Sequence, residues 1–482
     1  MTPTRLFRHF LAGAFAACLP GFALAAAPST PAPVNVLLIV ADDLNVALGA
    51  YGDPLAKTPN IDRLAARGVT FDRAHAQYPL CNPSRVSFLS GRRPETSGVY
   101  ILSTPARTAL PDAVLLPQFF RQNGYFTAGA GKIFHNVRMN DALSWDHYQD
   151  PPSQDPDELV ALRARADGGD GRPAWAILST DGSGTRDGVS ARQVGTWIAA
   201  HAAGPKPFFL AAGFHKPHLP WTAPQRSFDQ HAVSDFERAA EPAMQDIPAI
   251  ALQTELSGFA QPVTPAAARR AYYASVSFID DQVGLLLQEL DRHDLWSRTV
   301  VILTSDHGFH LGDHGGLWAK LSAFGEATRV PLLVAGPGVP AGRRVAAPVE
   351  LLDLFPTLVE LAGLPTPVGL EGKSLAATWR EGTRAPEAAY SLVYHYDQAA
   401  DRDVQARTVV TTDWRYTEWD RGSAGREVYL HADDPGEYRN RAAEPSTQAQ
   451  IAEGRALLER IPLPKPGPAN RPRALDGGRA LR

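Results

Sequence analysis

Two apolar runs in this chain each stop at acids. Val34 to Ala41 (VNVLLIVA) runs into Asp42-Asp43, and Thr299 to Thr304 (TVVILT) runs into Ser305-Asp306-His307-Gly308. Unbroken apolar, β-branched runs suit strands buried on both faces, the situation of parallel sheets covered by helices. Pro207 to Ala212 and Val330 to Ala335 repeat the texture, and Tyr125 to Ala130 is strand-like. Helical patterns lie between. Thr58-Pro59 before Asn60 to Arg67, with Gly68 after, offers an N-cap, an N1 proline and a C′ glycine. Tyr272, Val276, Ile279, Val283, Leu286 and Leu290 fall on one helical face, and Leu351 to Ala362 has similar spacing. The alternation predicts an α/β fold with a large central, mainly parallel sheet flanked by helices. Ligands in such folds bind beyond the carboxyl ends of the strands, which is where Asp42, Asp43, Asp306 and His307 stand.

Residues 34–382 carry this pattern as one domain. From Thr383 the texture changes. Arg407 to Trp419 and Glu427 to His431 read as short antiparallel strands around Gly422-Ser423, and Gln448 to Ile461 reads as a helix. A smaller C-terminal α+β domain with a short antiparallel sheet is expected over 383–461, then a loose tail over 462–482. Pro151 to Gly188, rich in Asp, Gly, Pro and Arg, reads as a surface insertion. Arg5 and Arg8 precede an apolar run from Phe10 to Ala17 and an Ala23-Leu24-Ala25 cleavage pattern. That run is shorter than the roughly 20 residues a membrane helix needs, so 1–25 reads as a secretory signal and 26–33 as a linker. Export to a periplasm or the exterior is expected, with no transmembrane span. Lipoprotein anchoring through Cys18 is the minor alternative. A net charge of -4 over 482 residues lacks the basic excess of a nucleic-acid binder.

Loss of the signal leaves Cys81 as the single cysteine. Asn82 as N-cap, Pro83 at N1 and Gly91 at C′ predict a helix starting just after Cys81, with its N–H groups and positive dipole end forming an anion site. Arg85 adds fixed charge one turn in. The bland alternative is a buried, inert thiol. Asp42, Asp43 and Asp306 at two strand ends would repel one another unless a cation neutralised them; helix capping is the ordinary alternative for such aspartates. Gly131-Lys132-Ile133-Phe134-His135 and Gly213-Phe214-His215-Lys216-Pro217-His218-Leu219-Pro220 both follow strand-like segments. Alone, Lys132 and His135 read as surface residues, whereas two histidines between prolines on a strand-end loop suit a site. Trp318-Ala319-Lys320 by itself is a buried Trp beside a surface Lys.

Cys81-x-Pro83-Ser84-Arg85, followed by four residues and Ser90-Gly91-Arg92, resembles the signature of type I sulfatases of the alkaline-phosphatase superfamily. The GKxFH, GxHKPHxP and WAK segments resemble its iduronate-2-sulfatase-like branch. The likeness spans residues 34 to 335, with a weaker one from Glu427-Val428-Tyr429 to Asp434-Pro435. It implies an alkaline-phosphatase-like fold and oxidation of Cys81 to formylglycine (3-oxoalanine) by a formylglycine-generating enzyme. It also implies one divalent cation, usually Ca2+ with Mg2+ the other option, held by Asp42, Asp43, Asp306, His307 and the modified Cys81. Most sulfatases carry Asp-Asn at the second pair; the imidazole of Asp306-His307 is unexpected for calcium but resembles the iduronate branch.

The resemblance implies roles as well. A hydroxyl of the aldehyde hydrate at position 81 attacks sulfur, helped by Arg85 and His135. Lys132 and Lys320 bind sulfate oxygens, and His215 as imidazolium protonates the leaving alcohol. The second hydroxyl then expels sulfate. The implied substrates are sulfated sugars, with 2-O-sulfated uronic acids foremost, or small sulfate esters. Lys216, His218 and Arg329 are candidate substrate contacts. Three alternatives stay open. One is a phosphodiester or phosphonate monoester hydrolase of the same superfamily; another is a cysteine–histidine acyl hydrolase using an unmodified Cys81 thiolate. The third is a catalytically silent exported glycan-binding protein.

Overall fold

The computed structural model describes Met1 and residues 33–150, 155–165, 175–238, 241–254, 264–380, 386–397 and 401–465. The expected signal after Met1, including Cys18, and the linker up to residue 32 lie outside the described residues. So do positions 466–482 of the expected tail. From Pro33 onward the chain forms one compact unit. Among the described residues no helix is long and apolar enough to cross a membrane.

Nine strands build the central sheet: β1 (Asn35–Asp42), β2 (Gly68–His75), β3 (Phe126–Gly131), β4 (His147–Gln149), β5 (Phe208–Pro217), β6 (Thr299–Ser305), β7 (Arg329–Val330), β8 (Leu332–Ala335) and β9 (Arg343–Glu350). Their order is β7-β2-β8-β6-β1-β5-β3-β4, with β9 also on β2. β1 runs parallel to both β6 and β5, and β3 to β5 and β4. Antiparallel pairing enters where β7 and β8 join β2 and where β8 joins β6. The mainly parallel sheet expected from the apolar runs is present. The run Val330 to Ala335, expected as one strand, is split into β7 and β8 around Pro331, whose missing N–H breaks the ladder.

Burial explains the unbroken apolar texture. Leu37 and Ile39 of β1 join one core cluster, while Val36, Leu38 and Val40 join the other. Helices cover both faces. On the first lie α3 (Arg186–His201) and α4 (Pro265–Arg292), the latter carrying the Tyr272–Leu290 apolar face. On the second lie α2 (Cys81–Ser90) and α5 (Leu354–Leu361). Each fully buried Val, Leu or Ile side chain is worth about 1.5–3 kcal/mol of transfer free energy, so both faces contribute to holding the sheet. Helix α1 (Pro59–Ala66) ends differently from expectation. Thr58 Oγ1 accepts from Gly49 N and donates to Asp62 instead of capping α1. Gly68 opens β2, where a Cβ would lie 2.0 Å from Val334 O.

The C-terminal strands β10 (Ala389–Asp397), β11 (Arg402–Val410), β12 (Trp414–Trp419) and β13 (Gly425–Leu430) form an antiparallel sheet in that order. Helix α6 (Gln448–Leu458) packs Ile451 and Leu457 against Val409 and Tyr416. This is the small antiparallel sheet read from the sequence. The 151–188 segment departs from a plain surface insertion. It contains a helix (Pro156–Arg165), a strand (Trp175–Leu178) paired with Trp221–Pro224, and the start of α3. Its polar composition hid that structure, because its buried acids serve neighbouring loops.

Candidate active site

Strand register sets the site. Ala41 lies opposite Ser305, Val40 opposite Gly213, and Gly213 opposite Gly131. Asp42-Asp43, Asp306-His307, Lys132 and His215 therefore leave the sheet at one edge. The approach of β3 to β5 requires glycine, since a Cβ on Gly213 would sit 2.3 Å from the Lys132 carbonyl carbon. Cys81 is itself the first residue of α2, with Leu80 at the cap. Asn82, expected as the N-cap, instead donates its amide to Ile101 O and Thr104 O at 2.9 and 2.8 Å. Gly91 closes the helix in the left-handed region, as expected.

Arg85 is the hub. Its Nη2 reaches Asp42 Oδ1 at 3.0 Å, its Nε reaches Asp306 Oδ2 at 2.9 Å, and Nη1 donates to the carbonyls of Lys132 and Ile133. Lys132 Nζ pairs with Asp42 Oδ2. Lys320 Nζ lies 2.7 Å from Asp43 Oδ1 and 3.1 Å from Cys81 Sγ. Three carboxylates thus face three cationic side chains, and Lys320 is buried rather than on the surface. Burial alone would raise the Asp42 carboxyl, but Lys132 and Arg85 hold it well below the usual range. Asp43 is lowered too, with burial opposed by Lys320 and His218. Asp306 goes the other way: burial raises it despite Arg85.

Two imidazoles adjoin these acids. His307 Nδ1 lies 2.9 Å from Gly308 O. A carbonyl only accepts, so Nδ1 carries a proton, and in the neutral ring Nε2 presents a lone pair. That Nε2 stands 3.4 Å from Asp43 Oδ1, 3.6 Å from Asp306 Oδ2 and 3.4 Å from Cys81 Sγ. The ligating atoms of Asp42, Cys81, Asp306 and His307 all lie within 4.8 Å of one another, and so do those of Asp42, Asp43, Cys81 and His218. His218, expected as a substrate contact, presents Nε2 4.0 Å from Asp43 Oδ2 while Nδ1 faces Leu219 O. Buried acids with an aimed imidazole lone pair fit a divalent cation.

Cys81 is not an activated thiol. Burial, then Asp42, pushes it well above its ordinary value, which opposes thiolate chemistry. His215 Nδ1 lies 3.9 Å from Asp42 Oδ2. Burial first, then His218, Lys132 and Lys216, holds this imidazole well below its ordinary value. The imidazolium expected from the sequence is therefore not the resting form. Burial and Lys132 push His135 down to about 2, and its Nδ1 has no hydrogen-bond partner.

Lys216 does not offer a free ammonium to substrate. Its Nζ is buried against Glu158 Oε1 and Pro220 O, both at 2.6 Å. Arg329 sits away from this cluster, its Nε donating to Asp72 O at 2.7 Å beside a 320 Å³ cavity. Three supporting residues escaped the sequence reading. Asp187 accepts from the backbone N–H groups of His215 and Lys216 at 2.6 and 2.9 Å. Glu158 binds Lys216 and Thr222. Tyr272 OH donates to Asp43 O at 2.8 Å and accepts from Asn45 N at 2.9 Å, bracing Asp43 at φ 64°, a costly value for a non-glycine residue. Burial at the strand edge was the available signal for the two acids, and it is not visible in composition.

A family model described as Sulfatase matches residues 34–364, and one described as N-sulphoglucosamine sulphohydrolase, C-terminal, matches residues 312–461. Iduronate 2-sulfatase of Homo sapiens is 33% identical over 478 residues, covering 82% of this chain and 86% of its own. The phosphonate monoester hydrolase of Agrobacterium radiobacter matches in structure with a TM-score of 0.71 at 24% identity, over 88% of this chain and 95% of its own. A 2-O GAG sulfatase matches with a TM-score of 0.68 at 24% identity, over 89% and 92%. At such identity these two structures show a shared fold alone. The family match and the human relative carry the assignment: the chain belongs to the sulfatase family and is a sulfuric ester hydrolase.

Proposed function

We propose that this sulfatase removes the 2-O-sulfate of a uronic acid in a sulfated sugar, after export and after Cys81 is matured to formylglycine by its generating enzyme. A divalent cation, Ca2+ ahead of Mg2+, would be held by Asp42, Asp43, Asp306 and His307 with the modified residue 81. The observation that carries this reading is the setting of Cys81 Sγ, 3.1 Å from Lys320 Nζ and 3.4 Å from His307 Nε2. The sulfur stands in for the oxygens of an aldehyde hydrate. When present, the cation supplies Lewis-acid polarisation of a sulfate oxygen, and the hydrate supplies a nucleophilic hydroxyl together with a second one through which sulfate can be expelled.

The chain's own residues do the rest. Arg85 locks Asp42 and Asp306 in place. Lys132, paired with Asp42, and Lys320, beside residue 81, stabilise charge building on sulfate oxygens. His215, neutral at rest, takes up its proton as an anionic ester enters, because substrate charge opposes the burial that holds it down; it then delivers the proton to the leaving alcohol oxygen. The human relative's activity on iduronate 2-sulfate supports the uronate reading.

Mass spectrometry of the residue-81 peptide from protein matured in its producing cell should find the aldehyde or its hydrate. A plain thiol at full occupancy refutes the nucleophile. Turnover of a 2-O-sulfated uronate disaccharide should exceed that of a phosphonate ester; the reverse order overturns the substrate class.

A further inference from the structure

A second cluster of imidazoles and carboxylates lies on the same hairpin that delivers Lys320 but serves none of the steps above. His310 begins the short strand His310–Asp313, which pairs antiparallel with Leu317–Ala319, so that His310 lies opposite Ala319. His314 follows at φ 53°, a left-handed conformation that costs a non-glycine residue energy. The ligating atoms of His310, His314 and Glu326 all lie within 4.8 Å of one another.

Two features point to a ligand. First, His314 Nε2 faces Gly436 O at 2.9 Å, and a carbonyl can only accept, so in the neutral ring the proton is on Nε2 and Nδ1 is a lone pair. The ring is clamped between Phe324 and Tyr438, with centroids at 4.1 and 5.0 Å. Second, the Nδ1 atoms of both His310 and His314 are buried without a hydrogen-bond partner, on side chains 0% and 3% exposed. His314 Nδ1 points at Glu326 Oε2, 3.7 Å away, and His310 Nδ1 at Asp313 Oδ2, 3.8 Å away. A lone pair facing a carboxylate oxygen is repulsive unless a proton or a cation lies between them. Tetrahedral zinc with ligand bonds of about 2.0–2.1 Å separates its ligands by about 3.3 Å, close to the 3.7 Å between His314 Nδ1 and Glu326 Oε2.

Neighbouring charges leave Glu326 as the available carboxylate. Asp313 is paired with Arg238, and Glu437 with Arg415 at 2.9 Å. Glu326 and Asp313 line the 320 Å³ cavity, which gives an ion a way in. Histidine Nε2 hydrogen bonds to Ser322 Oγ at 2.7 Å and to Gly436 O fix the rings from behind, the support that metal-ligating histidines ordinarily have.

We propose that His310 Nδ1, His314 Nδ1 and Glu326 form a second divalent-metal site of the zinc class, apart from the catalytic acids, tying the hairpin that precedes Lys320 to the short helix Gly325–Thr328. Two nitrogens and a carboxylate suit Zn2+ or Co2+ far better than Ca2+. The proposal does not depend on the sulfate chemistry. Full-length protein, stripped with chelator and resupplied with calcium, should be titrated with Zn2+ by calorimetry and with Co2+ by absorption. The expected result is one Zn2+ per chain and Co2+ bands of tetrahedral intensity, both weakened at least about tenfold in Glu326→Gln and in His314→Gln. Glu326→Gln is nearly isosteric on a cavity wall and decides the question alone if His314→Gln fails to fold. Zn2+ binding that survives both substitutions, as it would at the catalytic acids, overturns the proposal. So does failure of the wild type to take up Zn2+.

Discussion

Arg85 and Asp306 meet as a buried ion pair, Nε to Oδ2 at 2.9 Å, with neither side chain more than 1% exposed. The same guanidinium reaches Asp42 at 3.0 Å, so one side chain spans two of the proposed cation's ligands. A lysine ammonium is a point charge and cannot copy that fork. Arg85→Lys should therefore lower stability in urea by about 3–5 kcal/mol, the cost of breaking a buried pair. Sulfate ester turnover should fall by about 100-fold or more as the ligand geometry loosens. Wild-type unfolding midpoints in this variant would contradict the hub role.

Lys216 separates a positioning role from a substrate-binding one. Its ammonium is buried on Glu158 and Pro220 O, while its backbone N–H binds Asp187. Glu158→Ala strands that ammonium and should cost about 3–5 kcal/mol. The double variant Glu158→Leu with Lys216→Met should recover most of the loss, because an apolar pair of similar volume replaces a buried ion pair well. With the backbone contact retained, the KM of the double variant should stay within about threefold of wild type. A rise in KM of about tenfold, worth about 1.4 kcal/mol of substrate binding, would make Lys216 a substrate contact after all.

Glu95 supplies a pH test remote from the site. Burial, opposed by Arg93, raises its carboxyl from 4.5 to about 7. The folded state therefore binds a proton more tightly than the unfolded chain does, and stability falls as pH rises from about 4.5 through about 7. Glu95→Gln removes that loss. Its unfolding free energy should gain on wild type progressively across this window, by at most about 3.5 kcal/mol at pH 8, since each tenfold difference in proton affinity between the folded and unfolded chains is worth about 1.4 kcal/mol. A constant offset between the two proteins from about pH 5 to about pH 8 would show that Glu95 does not titrate there.

Much of this molecule is legible in the chain because its strands are buried on both faces. Val36 to Val40 sends alternate residues into two cores, so no polar residue interrupts the run, and the acids that end it mark the sheet edge. Cys81, Arg85, Lys132, His215 and Lys320 could be named because each sits in a short motif shared with a known family; alone, Lys132 and Lys320 read as surface residues. What stayed hidden depends on distant pairing. Asp187 matters through the amides of His215 and Lys216, and Tyr272 through the strained backbone at Asp43. Neither has a local pattern that separates it from a helix-start acid or a core aromatic. The error at Asn82 has the same origin: its amide was captured by Ile101 and Thr104, a tertiary competitor for the capping role. His310 and His314 lay in plain view four residues apart, but on a hairpin that spacing does not imply a shared face.

Charge balance at the catalytic edge argues that removing the divalent cation should silence the enzyme without unfolding it. Lys132 covers Asp42, Lys320 covers Asp43, and Arg85 covers Asp306. The ion-free protein thus satisfies its buried carboxylates with its own cationic side chains, and a bound divalent ion would displace the two lysines toward the sulfate. Chelation should abolish sulfate ester turnover while far-UV and near-UV dichroism stay native. Calcium should restore turnover and stabilise the fold by about 2.7 kcal/mol at a concentration about 100 times its dissociation constant. Lys320→Met should destabilise the ion-free protein more than the calcium-loaded one, because only the former uses the ammonium to neutralise Asp43. Equal destabilisation in both states would show that Lys320 stays on Asp43 whether or not the ion is present.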